Sequence, residues 1–355
     1  MLEYAHYALL LVVAAVVTLL VTPLVRRVSL RLGLVDYPGG RKVHDHPVSR
    51  LGGVAIFIGL AAAIALEVMG ELRGVWDTGF ITQASDRMNV TGVFAGILLV
   101  FLVGAVDDVW NLRAGAKLGG QILAAAIVAV SGLQIEFVGN PFGGGLIMLG
   151  LLAVPVTVVY LVGFANVINL IDGLDGLAAG VSAIAATSLL VLAVQGNRFA
   201  AAALAAGLIG ACMGFLRYNF NPASIFMGDS GAMFLGFTLA TISLLGVMKT
   251  TAAIALAVPL MIIGVPIFDA ASAILRRVRH NRPIHEADKG HIHHRLLGRG
   301  FDQRQTVLII YAWSAALAFG AYAVRYAPGP VKLGAILGGF CVTALMSYWL
   351  GLFEA

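Results

Sequence analysis

The sequence predicts an all-α integral membrane protein, a polytopic bundle of about eleven transmembrane helices, and three observations carry that expectation. Of its 355 residues 60% are hydrophobic and 12% charged, against roughly 45–50% apolar and about 25% charged in a soluble domain. The mean hydropathy is +0.93. Apolar runs of one-crossing length recur from end to end, and ~20 mostly apolar residues cross the ~30 Å hydrocarbon layer as a helix because lipid offers the backbone no hydrogen-bond partners.

The runs fall at about 5–25, 51–69, 90–106, 118–133, 146–165, 176–195, 199–215, 230–248, 251–273, 305–325 and 332–352. The eighth and ninth are separated by little more than Lys249, and Pro259 and Pro266 should bend the ninth. The first run has no basic residue before it and Arg26 and Arg27 after it, the reverse of a signal peptide's charge order. It therefore reads as a retained span with the N-terminus outside, and an odd number of spans puts the C-terminus in the cytoplasm. Segments 26–50, 107–117, 166–175, 216–229 and 274–304 then face the cytoplasm. They hold most of the 23 Lys and Arg residues, as the positive-inside rule requires.

Cys212 and Cys341 both lie inside apolar runs, which gives them a packing role and argues against a disulfide framework or a thiolate metal site. Neither a repeat nor a low-complexity linker divides the chain, so residues 1–355 read as one domain. Asn89-Val90-Thr91 matches a glycosylation sequon but abuts a span. The net charge of +5 comes without a basic helix or an aromatic-interleaved basic stripe, which argues against nucleic acid as a partner.

Chemistry-bearing residues gather on the cytoplasmic side. Asp107 and Asp108 end the third run, Asp172 and Asp175 stand at the start of the sixth, and Asp229 opens the eighth. An Asp at a helix start often does no more than cap it. That explanation fails for Asp107 and Asp108, which sit where the helix dipole disfavours negative charge. They need cations: Lys117, Arg113 or a bound metal. Mg²⁺ suits the pattern, being held by one or two carboxylates and substrate phosphates. Glycines beside Asp172, Asp175 and Asp229 leave helix N-terminal N–H groups available to phosphate. Asn166, Asn169, Asp172 and Asp175 recur every three residues, a spacing that implies an interrupted helix rather than a uniform one.

The loop Gly290-His291-Ile292-His293-His294-Arg295 invites a zinc reading. The lack of a nearby cysteine and the flanking Arg276, Arg277, Arg279, Arg282, Lys289, Arg295 and Arg299 favour an anion instead. Carboxylates able to hold Mg²⁺, helix N-termini and a basic loop on one face point to a phosphate-rich substrate met at the lipid bilayer.

GAVDDVWNLRAGAK, NVINLIDGLDGLAAG, IFMGDSGAMFLGF and HIHHRLL, in this order and joined by the early GLVDYPGGRKVHDHPVSRLGG, resemble the polyprenyl-phosphate N-acetylhexosamine-1-phosphate transferases. The resemblance runs from about Gly33 to the histidine loop. The HIHH loop and the RLGG segment resemble the branch that initiates teichoic acid, enterobacterial common antigen and O-antigen. The peptidoglycan translocase branch carries a TPTMGG-like segment where this chain has Pro47 to Gly53.

The resemblance implies UDP-GlcNAc and undecaprenyl phosphate as substrates, undecaprenyl-diphospho-GlcNAc and UMP as products, and a bacterial cytoplasmic membrane as the location. It implies Mg²⁺ as cofactor, with Mn²⁺ as an alternative that takes the same oxygen ligands. By the same resemblance Asp229 is the principal metal ligand, and Asp107 and Asp108 act on the lipid phosphate or the metal. Asp172 belongs to the catalytic cluster, Asp175 and Asn169 contact the nucleotide, and Lys117, His291, His293, His294 and Arg295 bind phosphate. Association as a homodimer is left open. A secondary transporter is the competing class, because interrupted helices and intramembrane acids occur there too; acids on one face and no inverted repeat count against it.

Overall fold

The computed structural model describes residues 5–37, 47–76, 88–139, 145–247, 257–279, 290–326 and 329–351. Its first helices are α1 (Ala5–Arg31), α2 (Gly52–Leu72), α3 (Val90–Trp110), α4 (Ala114–Val130), α5 (Ala153–Ile171), α6 (Leu177–Gln195) and α7 (Phe199–Asn219). They are followed by α8 (Gly228–Val247), α9 (Ala257–Ile262), α10 (Gly264–Arg279), α11 (Ile292–Gly298), α12 (Gln303–Tyr326) and α13 (Gly329–Trp349). Eight of the described helices are long and apolar enough to cross a membrane, and Ala114–Val130 and Gly334–Met346 are shorter apolar helices. The chain is thus a polytopic, helical membrane protein.

The departures from the expected outline are local. Two short antiparallel ribbons stand where only loops were expected. β1 (Val35–Asp36) pairs with β2 (Val48–Ser49), Val35 opposite Ser49, and β3 (Phe137–Gly139) pairs with β4 (Leu146–Met148), Phe137 opposite Met148. The ninth run is broken into α9 and α10 between Ile262 and Gly264, with Pro259 and Pro266 on either side, as those prolines lead one to expect. The Cys212 thiol is buried, but Cys341 is exposed on the surface of α13, so only the first has a packing role in the interior. Asn89 of the sequon caps α3, its side chain accepting from the Gly92 N–H at 3.3 Å.

Helices α3, α5 and α7 continue past their apolar runs to Trp110, Ile171 and Asn219. Segments 107–117, 166–175 and 216–229 are therefore largely helix ends and tight turns rather than loops. A helix stops where its backbone bonding is capped, not where its hydrophobicity falls. α3 ends at Asn111, whose left-handed conformation (φ 49°) closes a bond from its N–H to the Asp107 carbonyl at 2.8 Å.

Helix α8 is the most enclosed of the spans, set among α2, α3, α5, α6 and α7. Small residues let its neighbours approach, as helix packing in lipid requires where no hydrophobic drive separates protein from solvent. A Cβ on Gly104 of α3 would stand 2.5 Å from Ser230 Cα and 2.7 Å from the Asp229 carbonyl oxygen. A Cβ on Gly53 of α2 would stand 2.6 Å from Gly231 Cα. α2 and α3 thus lie against the amino end of α8, and that contact fixes where Asp229 sits.

A direct consequence is that Gly104→Ala should lower the thermal midpoint of the detergent-solubilised protein, by overpacking worth about 1–3 kcal/mol. Gly119→Ala, whose Cβ meets nothing within 4 Å, should leave it unchanged. Equal midpoints in size-exclusion thermal melts would show that α3 and α8 are not in van der Waals contact at this crossing.

Candidate active site

The carboxylates expected to lie on one face do converge, around a cavity of about 570 Å³. Asp107 and Asp108 reach it from the end of α3, Asn169 from the last turns of α5, and Asp172 and Asp175 from the α5–α6 turn. Asp229 comes from the first turn of α8, and His293 and His294 from α11. Asp36, Arg50, Asn111, Asn219, Asn221 and Gln303 complete its polar wall.

Lys117 of α4 ties three of these helices together. Its ammonium lies 2.5 Å from Asp229 Oδ2, 3.2 Å from Asp107 Oδ2 and 3.5 Å from Asn169 Oδ1. The Asn169 amide donates to Asp229 Oδ1 at 2.6 Å, so both oxygens of Asp229 are engaged across the site. Asp229 is therefore not a cap of its own helix, although it opens α8. One layer deeper, Asn166 Nδ2 donates to Gln121 Oε1 at 2.7 Å and repeats the α4–α5 bridge one turn from Lys117 and Asn169.

The two adjacent acids of α3 are neutralised by different means. Asp107 uses Lys117, while its other oxygen accepts from the Leu112 N–H at 2.7 Å. Arg113, the alternative partner, is exposed at the start of α4. Asp108 accepts from the backbone N–H groups of Asp229 at 2.7 Å and Ser230 at 3.0 Å, so it closes the positive end of α8 from a neighbouring helix. Gly228 makes this possible: its φ is +73°, and a Cβ there would sit 2.6 Å from Asp108 Oδ2. This corrects one expectation: these N–H groups of α8 are engaged by Asp108 and are not free for phosphate. Asp108 is both a buried cap and part of the cavity lining.

The α5–α6 turn is held as firmly. α5 ends at Ile171, so Asp172 terminates that helix instead of opening the next, and the expected interruption lies between Asp172 and Gly176. Asp175 Oδ2 accepts from Asn221 Nδ2 at 3.0 Å and from the Ala223 N–H at 2.9 Å. Gly176 (φ +81°) donates to Asn219 Oδ1 at 3.1 Å and accepts from the Tyr311 hydroxyl at 2.6 Å. Its N–H is thereby used within the protein as well. Burial first, and then the charges of Asp229, Asp108 and Asp175, push the Asp172 carboxyl up to about 8.

The histidine loop divides. His293 is buried against Gly173 and lines the cavity with His294. Burial, followed by the neighbouring His294 ring, pulls His293 down to about 3, so its imidazole is neutral at neutral pH. His291 points elsewhere: its Nδ1 is 2.9 Å from Asp269 Oδ2, and the other Asp269 oxygen accepts from the Ile292 N–H at 2.8 Å. It therefore anchors α11 to α10 and, like Arg295, is not among the residues lining the cavity. Arg282 and Lys289 lie outside the described residues.

Among the described residues no three Asp, Glu, His or Cys side chains form a ready-made metal cage. Mg²⁺ does not need one: it keeps several waters and binds through one or two carboxylates and substrate phosphates. Asp229 and Asp107, two hard-oxygen donors sharing one ammonium at the cavity wall, fit that mode.

Sequence reasoning missed Asn111, although it lies inside the GAVDDVWNLRAGAK motif, and Asn219, Asn221, Gln303 and Tyr311, which lie outside the quoted motifs. Arg50 was noted only as the first residue of the RLGG segment, with no role at the site assigned to it.

The sequence profile of glycosyl transferase family 4 matches residues 90–247, the stretch that runs from α3 to the end of α8. A Bacillus subtilis (strain 168) protein named probable undecaprenyl-phosphate N-acetylglucosaminyl 1-phosphate transferase is 39% identical over 316 residues, 89% of this chain and 84% of the relative. A Mycolicibacterium smegmatis decaprenyl-phosphate N-acetylglucosaminephosphotransferase is 36% identical over 96% of this chain and 87% of its own length. A Yersinia pestis undecaprenyl-phosphate alpha-N-acetylglucosaminyl 1-phosphate transferase is 29% identical over 82% and 77%. Identity at this level across most of both chains, laid over the helices that bring Asp107, Lys117, Asn169 and Asp229 together, means that the chain belongs to glycosyl transferase family 4, among relatives named as polyprenyl-phosphate N-acetylglucosamine-1-phosphate transferases.

Proposed function

We propose that the protein transfers GlcNAc-1-phosphate from UDP-GlcNAc to undecaprenyl phosphate, giving undecaprenyl-diphospho-GlcNAc and UMP at the cytoplasmic face of a bacterial inner membrane. The observation that carries this reading is the Lys117–Asp107–Asp229–Asn169 cluster, which is assembled from four helices at a cavity wall. The names of the relatives support it over the pentapeptide-transferring branch and over a transporter.

The fold suits that topology. Eight described helices are of membrane-crossing length, and we read the two shorter apolar helices and the broken pair α9–α10 as further crossings, which would bring the number to the eleven expected from the sequence. With the N-terminus outside, the cavity-lining ends of α3, α5 and α8 then share the cytoplasmic face. We read the whole chain as one membrane domain.

In the proposed reaction an oxygen of the lipid phosphate attacks the β-phosphorus of the donor in line. The bond from that phosphorus to the bridging oxygen breaks, and UMP leaves with the electron pair. A phosphate monoester with a second pKa of ~6 is largely dianionic at neutral pH, so no strong base is required. Positioning and charge neutralisation do the work, as in phosphoryl transfer generally. Mg²⁺ or Mn²⁺, held by Asp229 and Asp107, would supply neutralisation of the pyrophosphate oxygens. Lys117 keeps those two carboxylates facing one point, Asn169 fixes the rotamer of Asp229, and neutral His293, with His294 beside it, offers hydrogen bonds at the opposite wall.

Two variants separate chemistry from framework. Asp229→Asn should reduce kcat by at least ~10²-fold, the scale of losing a charge-stabilising group at the reacting centre, while the protein still elutes as a folded species. Asp108→Asn should instead lower the thermal midpoint, because its NH2 would replace one of the two oxygens that each accept from an α8 N–H group; the loss is about 0.5–2 kcal/mol for a helix cap. Turnover of Asp229→Asn near the wild-type rate, read as UMP released from UDP-GlcNAc, would sink the assignment.

Asp172 gives a pH signature. Its carboxyl is raised from the ordinary 3.8 to about 8 in the folded protein, so the folded state holds this proton more tightly than the unfolded one. Stability from this source is present at low pH and declines as pH rises from about 4 to about 8. In EDTA-containing buffer Asp172→Asn should therefore gain thermal midpoint relative to wild type on going from pH 5 to pH 8. Parallel melting curves across that range would refute a raised Asp172.

A further inference from the structure

We propose that Arg50 is the cation that grips a substrate phosphate in this site, a role that rests on the phosphate-transfer reading above. Phosphate ligands need donors, and most of the expected ones are already engaged. The Lys117 ammonium is bound to Asp107 and Asp229, the first N–H groups of α8 to Asp108, and the Gly176 N–H to Asn219. Among the described residues lining the cavity, Arg50 is the only Lys or Arg, against six aspartates.

The Arg50 guanidinium has five N–H donors in a planar fork matched to phosphate oxygens. Its one hydrogen bond to the described protein is Nη1 to Asn111 Oδ1, at a long 3.5 Å. Nε is enclosed with no hydrogen-bond partner among the described residues, a deficiency that a bound oxyanion would relieve after a small turn of the fork. The main chain on both sides is pinned to the strand-like segment leading into Asp229. Phe226 N–H donates to the Ser49 carbonyl at 2.7 Å, Gly52 N–H to the Phe226 carbonyl at 2.9 Å, and Gly53 N–H to the Met227 carbonyl at 2.7 Å. The Arg50 carbonyl itself lies against Gly228. Arg50 is thus fixed in place two residues before α2 and beside the residue that opens α8, close to Asp229 yet not bonded to it. It also lies outside the stretch matched by the family profile.

The phosphate in question belongs either to the donor's pyrophosphate or to the lipid, and one set of titrations separates them. Purified full-length wild type, Arg50→Gln and Arg50→Lys in detergent are each titrated with UDP-GlcNAc alone, with undecaprenyl phosphate alone and with inorganic pyrophosphate. Arg50→Gln should lose at least ~10-fold in affinity for one of the two substrates with little change for the other, the scale of a charge-assisted hydrogen-bond pair. Arg50→Lys should recover part of that loss, and thermal midpoints should stay equal. Unchanged affinities in Arg50→Gln, or an equal loss for both substrates with a lowered midpoint, would overturn the role. A wild type that binds pyrophosphate but neither substrate would instead overturn the substrate assignment. In that event Arg50→Gln binding pyrophosphate as tightly as wild type overturns the role of Arg50, and weakened pyrophosphate binding sustains it.

Discussion

Two carboxylates at the C-terminal end of a membrane helix are electrostatically misplaced, since the helix dipole and the apolar surroundings both oppose them. The rest of the site follows from how that burden is relieved. Asp108 is accepted by the amino end of α8 and Asp107 by Lys117 of α4. Both solutions demand close helix contact, so the carboxylates specify the packing of α3 against α4 and α8 as much as the packing specifies them. Leaving either acid unpaired would bury a charge at a cost of several kcal/mol.

The same contacts set the geometry of the chemistry. Because Asp108 closes the α8 amino end, Asp229 in the first turn does not fold back to cap its own helix and projects to Lys117 and Asn169 instead. α8, enclosed by five neighbours and crossed by small residues, serves as a rigid mount. Groups held by a fixed frame stabilise charge without reorganising when it develops, which is the condition for electrostatic catalysis. The Gln121–Asn166 amide pair extends this rigidity one layer inward.

The opposite wall is built from parts distant in sequence. Tyr311 and Gln303 of α12 reach the α5–α6 turn, one directly at Gly176 and the other through Asn221 and Asp175. His291 fastens α11 to α10 through Asp269, and His293 thereby comes to rest against Gly173. A run of histidines is thus put to different uses: one ring as a buried anchor and two as cavity wall.

Much of this was legible in the sequence. Hydropathy located the eight long helices, because lipid imposes a fixed length of helix wherever the chain crosses it, and Pro259 and Pro266 marked the run that breaks. The acids at helix ends were visible as a cluster because charge is costly at those positions, and the need of Asp107 and Asp108 for a cation or its equivalent followed from the dipole alone. What the sequence could not decide was the division of labour among chemically similar groups. Asp107, Asp108, Asp172, Asp175 and Asp229 are the same side chain, and only the tertiary structure separates the cap, the turn anchor and the groups at Lys117. The function of a carboxylate is set by which donors lie within about 3 Å of it, and those donors come from helices far away along the chain.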